Sequence, residues 1–254
     1  MENILLPSKI TFSPGSHEFE EILTIEPLHH GYGTTVGNAL RRVLLSSLEG
    51  AAVTGVKIKG VQHEFSAING VKEDVLEIIL NLKQLRMKMH SDKPIMLSLT
   101  VDGREGSVTA QDIEKNADVE IVNPNLVIAT TTSKDTKLHM DIVVERGRGF
   151  VPTEERDSGA SDIGMIAVDS VFSPVLSVGL KIENTRVGEI TNYDKVIMNV
   201  VTDGTITPQD AICEATKIVL SHFNWIDNQL KQNVSSSDKS DNSESITELN
   251  TSEE

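Results

Sequence analysis

The sequence is short of several things at once. It has one cysteine, Cys213, among 254 residues, so no internal disulfide can form and a cysteine-rich zinc site is excluded. Aromatic residues make up only 4%. Basic residues are the minority, 23 Lys+Arg against 38 Asp+Glu, for a formal net charge of −15. That balance argues against a surface that grips nucleic acid unaided, because neutralising phosphates takes clustered Lys and Arg. It does not exclude membership of a larger nucleic-acid machine. No apolar run approaches the roughly 18–20 residues of a membrane span. The N-terminal MENILLPSKI has no basic stretch ahead of an apolar core, so no signal peptide is expected. These absences point to a soluble, cytoplasmic protein, long enough for one or two domains with a buried core.

Three helices are legible in what remains. The first is expected from about Thr35 to Leu48, with Thr34 or Thr35 as its cap and Val36, Leu40, Val43 and Leu44 along one face. The second runs from about Lys72 to Gln84. Its apolar residues, Val75, Leu76, Ile78, Ile79, Leu80 and Leu82, cover about half the circumference, wider than one core contact requires. The third opens at Thr207, with Pro208 in its first turn and Asp210 at the capping-box position, and runs to about Leu230. Ile212, Ala215, Val219, Phe223, Ile226 and Leu230 fall in one narrow stripe, with Ile218 and Trp225 roughly opposite, so this helix has two surfaces to cover.

Strands account for much of the rest. Residues 22–27 form one, and period-2 alternation marks Val56/Ile58, Ile95–Val101, Leu138–Val144, Val178–Ile182 and Val196–Val201. The stretch 153–162, TEERDSGASD, has no large apolar residue and reads as a mobile loop. Residues 232–254 carry six acidic residues, one lysine and seven serines, and are expected to be disordered.

Chemical motifs are few. GYGTTVG (31–37) lies between a strand and a helix, where free amides can cradle a phosphate. It departs from G-x-G-x-x-G because Val36 holds the sixth position, and no acidic residue follows the next strand. A tight turn with a close backbone approach fits better than a nucleotide site. The seven histidines show no metal-ligand spacing, and no nucleophile motif is present. No catalytic residue, cofactor or metal site is expected. Arg41 and Arg42 lie mid-helix about 100° apart, and Arg146 and Arg148 flank Gly147 as a forked donor set suited to a carboxylate or phosphate.

Taken together, six segments resemble the RNA polymerase alpha-subunit family. They are GYGTTVGNALRRVLLSSLEGAAV (31–53), GVQHEFSAINGVKEDVLEIILNLK (60–83), DVEIVNPN (118–125), VERGRGFVP (144–152), VDSVFSPV (168–175) and DGTITPQDAICEATKIVLSHF (203–223). The resemblance runs in order over about residues 3–230. It implies an α+β fold. Residues 1–50 and 170–231 would form a discontinuous dimerisation domain of antiparallel sheet plus helices, and residues 51–169 an inserted, mostly β domain.

The resemblance also implies a role. The chain would homodimerise and recruit the beta and beta-prime subunits of a DNA-dependent RNA polymerase, as a non-catalytic subunit, with Mg²⁺ held on the large catalytic subunit. Arg42 aligns with the family's beta-binding arginine. Arg41, Asn38, Leu45, His63, Glu73, Arg146, Arg148, Val171, Ser173 and Pro174 are the further docking residues it implies. Val36, Leu40, Leu44, Ile212, Val219, Phe223 and Ile226 are the expected dimer contacts. The family's C-terminal DNA-binding domain is not matched, so upstream DNA contact is expected to be absent. A bacterial nucleoid-associated complex, or the plastid stroma, would be the location.

Overall fold

Alternating apolar residues condense the described part of this chain into two four-stranded sheets, each roofed by helix, with three two-stranded ribbons beside them. The structure, a computed structural model, describes residue 4, residues 6–155 and residues 164–244; of residues 233–244 only the backbone is described. In chain order the elements are β1 (Lys9–Pro14), β2 (Glu20–Leu28), α1 (Tyr32–Ser46), β3 (Glu49–Ile58), α2 (Val75–Leu82), β4 (Met87–Met89), β5 (Ile95–Asp102), β6 (Gly106–Thr109), β7 (Val119–Ile121) and β8 (Val127–Thr131). There follow β9 (Lys137–Arg148), β10 (Phe150–Val151), β11 (Ile166–Ala167), β12 (Ser170–Val171), β13 (Val175–Val187), β14 (Ile190–Thr202) and α3 (Pro208–Glu244). The fold is α+β.

The first sheet has the antiparallel order β1-β2-β14-β13. Because side chains alternate along a strand, Leu23 and Ile25 of β2, Val178 of β13, and Val196, Met198 and Val200 of β14 share one core. Leu40 and Leu44 of α1, Leu48 just beyond it, and Ala211, Ile212 and Ala215 of α3 close over them. The second sheet has the order β11-β3-β9-β5. Its inward residues, among them Val56, Leu99, Met140 and Ile142, pack with Val75, Ile78, Ile79 and Leu82 of α2. One core therefore draws on residues 23–48 and 175–215, and the other on residues 53–168.

The seam between the cores is built from a pair of glycines. Gly50 of β3 stands directly opposite Gly147 of β9. The bare backbone there seats Phe172, which is buried. A Cβ added at Gly50 would overlap the carbonyl oxygen of Phe172, and one at Gly147 would meet its ring. Phe172 in turn donates its amide to Gly149 O at 2.8 Å. Arg86 Nε approaches Asp203 Oδ2 at 4.0 Å, a second link between the two halves.

Several expectations need correcting. The first helix begins at Tyr32, and neither Thr34 nor Thr35 caps it; Gly31 holds the N-cap position with φ 85°, a left-handed conformation. Its acceptor comes from far away in sequence. Asp194 Oδ2 takes the amides of Gly31 and Gly33, each at 2.9 Å. The second helix is shorter than expected because Asp74 caps it, accepting from Glu77 N at 2.7 Å. The third keeps its predicted start, with Asp210 N donating to Thr207 Oγ1 at 3.1 Å. Its backbone continues to Glu244, into the segment expected to be disordered. Residues 245–254 lie outside the described residues. Of the predicted mobile loop, Thr153–Glu155 forms a short 3₁₀ turn, and 156–163 lie outside the described residues. No helix among the described residues is long and apolar enough to cross a membrane.

Candidate docking surfaces

Helix α1 turns Leu40 and Leu44 into the core and presents Asn38, Arg41, Arg42 and Leu45 outward. The presentation is rigid, since the inward face is anchored by packing and the N-terminus by the Asp194 carboxylate. Asn38 Nδ2 donates to Thr34 O at 2.9 Å, within its own helix. Among the described residues, the guanidinium groups of Arg41 and Arg42 have no hydrogen-bond or ion-pair partner, while the Arg42 carbonyl accepts from Ser46 Oγ at 2.8 Å within the helix. Arg42 lines a groove between α1 and α3 together with Ala39, Val43, Ile218, Val219 and Phe223.

Beyond that groove, α3 leaves the body of the protomer with its apolar residues uncovered. Leu220, Phe223, Trp225, Ile226 and Leu230 are all exposed, Phe223 at 64% and Trp225 at 65%. Ile10 and Phe12 of β1 are exposed as well, although they pair with Ile25 and Leu23, which face the core. A run of exposed large apolar residues like that on α3 is unusual on a monomer.

The predicted dimer contacts therefore divide. Phe223 and Ile226 are exposed. Val36 and Val219 are half-buried against the protomer's own core. Leu40, Leu44 and Ile212 must be withdrawn as partner contacts, because they are buried inside the protomer. Their helical spacing is real, but it serves the sheet beneath.

A second surface gathers where β3 meets β9. Glu49 stands directly opposite Arg148, and Ala51 opposite Arg146, all on one face. The small side chain of Ala51 leaves Arg146 free to reach diagonally. Glu49 accepts from both arginines, Oε2 from Arg146 Nη2 at 2.7 Å and Oε1 from Arg148 Nη2. Arg146 Nη1 also donates to Asp92 Oδ1 at 2.6 Å. Arg148, with Arg146 behind it, holds the Glu49 carboxyl below the ordinary carboxylate range. The forked donor set expected to be open for a partner is thus half-filled from within the chain. Phe150 and Val171, a cross-strand pair of β10 and β12, are exposed beside it. Pro174 is buried and is withdrawn as a docking residue. Ser173 is half-buried, its hydroxyl donating to Val175 O at 3.3 Å.

The third surface is on α2 and the loop before it. Its wide apolar face is split: Val75, Ile78, Ile79 and Leu82 are buried, whereas Leu76 and Leu80 are exposed, as is Phe65. His63 is exposed and shares a hydrogen bond with Ser66 Oγ at 3.2 Å. Glu73 is half-buried and committed locally, its Oε2 accepting from Thr130 N at 2.6 Å. That bond ties the entry of α2 to β8, so Glu73 reads as a structural residue rather than a free docking group.

Sequence reasoning missed Glu49, Asp92 and Asp194, each of which acts on a segment remote in the chain. It also missed Phe65, although the excess width of α2 marked the same surface. The nucleotide reading of GYGTTVG loses its basis here, because two amides a phosphate would use already bind Asp194. Among the described residues no group of three or more His, Cys, Asp or Glu side chains is placed to hold a metal ion.

Residues 56–173 match the model of the RNA polymerase Rpb3/RpoA insert domain. The chain is 53% identical over 200 residues to the DNA-directed RNA polymerase subunit alpha of Oceanobacillus iheyensis, covering 79% of this chain and 63% of that protein. It is 55% identical over 199 residues to that of Symbiobacterium thermophilum, covering 78% and 62%. With that of Maridesulfovibrio salexigens the identity is 47% over 216 residues, covering 85% and 62%. The matches span less than two thirds of the length of these relatives.

Proposed function

We propose that the chain, similar at 47–55% identity to bacterial RNA polymerase alpha subunits and matching the Rpb3/RpoA insert domain over residues 56–173, is a member of the RNA polymerase alpha-subunit family that dimerises and scaffolds the beta and beta-prime subunits of a DNA-dependent RNA polymerase, without contributing a catalytic residue. One observation carries this reading. An arginine whose guanidinium has no partner among the described residues and an uncovered apolar stripe flank one groove between α1 and α3. The stripe accommodates a second copy through Phe223, Ile226 and Leu230. Arg42 offers a planar guanidinium to an acceptor cluster on a large subunit, which suits arginine better than lysine. The sheet that carries α1 and α3 is the proposed dimerisation domain, and the second sheet with α2 the inserted domain.

Replacing Arg42 by Ala tests the assignment. Arg42 is exposed, and its guanidinium has no hydrogen-bond or ion-pair partner among the described residues, so the dimer is expected to persist in sedimentation. Recovery with the beta subunit in pull-down is expected to fall about tenfold or more, the scale of a lost charged interface contact. Unchanged recovery would remove Arg42 from the docking surface.

A further inference from the structure

Arg146 and Arg148 share a strand face, a motif and a carboxylate partner, yet the structure gives them different work. Both terminal nitrogens of Arg146 are engaged, one by Asp92 and one by Glu49. Its fork is closed, and it acts as a strut between β9, β3 and the loop carrying Asp92. The Arg148 side chain is 60% exposed and, among the described residues, makes one hydrogen bond, to Glu49. A guanidinium has five N–H donors, so most of those on Arg148 remain open to solvent beside the exposed pair Phe150 and Val171.

Resting on the scaffold role proposed above, and on Arg148 being one of the docking residues that the family resemblance implies, we infer that Glu49 is a positioning residue, which fixes the Arg148 guanidinium in the orientation that a carboxylate of a large subunit binds. The geometry supplies the reason. Glu49 is the direct cross-strand neighbour of Arg148, and opposite charges in such pairs attract. Glu49 is itself held by Arg146, which is held by Asp92. The side chains Asp92–Arg146–Glu49–Arg148 are hydrogen-bonded in series, with Arg146 engaged at both terminal nitrogens and Arg148 at one. A long exposed side chain otherwise loses rotamer freedom when a partner captures it, and pre-ordering removes that cost.

A simple electrostatic account makes the opposite forecast. Glu49 is a negative charge beside the docking arginine, so its removal should strengthen attraction to an acidic partner. The two accounts separate in one experiment. Full-length chain carrying Glu49→Ala, Glu49→Gln, Arg148→Ala or the Glu49→Ala/Arg148→Ala pair is titrated into purified beta and beta-prime subunits, and half-maximal assembly is read by pull-down. Thermal melts of each variant ensure that all are folded at the assay temperature.

Positioning by Glu49 predicts that Glu49→Ala weakens assembly about fivefold to tenfold, the equivalent of one side chain's ordering cost. Glu49→Gln, which keeps an acceptor oxygen, is expected to retain part of the affinity. The double variant is expected to match Arg148→Ala alone, because the effect of Glu49 passes through Arg148. A merely structural role would move the melting temperature without producing that non-additivity. Unchanged or tighter assembly by Glu49→Ala, or additive losses, overturns the inference and leaves the docking role of Arg148 intact. Full assembly by Arg148→Ala overturns both.

Discussion

Phe223→Asp is expected to leave the chain folded but monomeric at micromolar concentration. Phe223 is 64% exposed in the protomer, beyond the last α3 residues that pack on the sheet. The substitution therefore costs the protomer's core nothing. In a dimer that buries this stripe, the same change removes roughly 1.5–3 kcal/mol of apolar burial. It also places an unpaired carboxylate in the contact, which costs several kcal/mol more. Together these correspond to at least about a thousandfold in dimer affinity. Sedimentation velocity reads the outcome, with an unchanged melting transition as the control for folding. Trp225, the one tryptophan, lies on the same projecting segment of α3, and its emission should red-shift as the dimer separates. A Phe223→Asp dimer of ordinary affinity would place the interface elsewhere.

Gly50→Ala is expected to give the largest loss of protomer stability among single-atom additions. The new Cβ would overlap a backbone oxygen, that of Phe172, and backbone yields less readily than a flexible side chain. Overpacking of this kind costs about 3 kcal/mol or more. For a domain of this size that is a fall in melting temperature of about 6–12 °C. Gly60→Ala is the matched control. Gly60 has φ +87° but nothing within 4 Å of an added Cβ, so only left-handed strain of about 1–2 kcal/mol applies. Equal destabilisation by the two would mean that Phe172 is not seated against β3 as described. The seat also matters for docking, since Phe172 adjoins Val171 and holds β12 beside Arg148.

Much of the fold was legible because local pattern and tertiary role coincide. The period-2 runs in β5, β9 and β14 bury the residues their alternation points inward, whereas of the run Val178, Leu180 and Ile182 in β13 only Val178 is buried and Ile182 is exposed. The Thr207–Asp210 capping box marks the start of α3 in sequence and in structure. Where the two part, the cause is a long-range contact. The start of α1 is set by a carboxylate 161–163 positions away, which no local signal announces. The fork of Arg146 and Arg148 looks open in the motif and is half-closed by Glu49, 97 to 99 positions earlier.

The site residues failed in a more instructive way. A helical stripe records that a face is covered and says nothing of what covers it. Leu40 and Leu44 on α1, and Ile212, Phe223 and Ile226 on α3, all lie on helical apolar stripes with steps of three or four. The first three meet the protomer's own sheet, and the last two meet solvent. Only the length of α3 beyond its supporting sheet separates them. Polarity misled likewise at Glu73, whose carboxylate is spent on the Thr130 amide. The acidity noted at the outset bears on the chain alone and says nothing against a place in a complex that handles DNA.

The most direct measurement is the composition of the complex formed when the full chain is co-expressed with the beta and beta-prime subunits. A tag on beta-prime and native mass determination suffice. The account predicts two copies of this chain for each pair of large subunits. Large subunits recovered without this chain, or with one copy of it, would contradict the account.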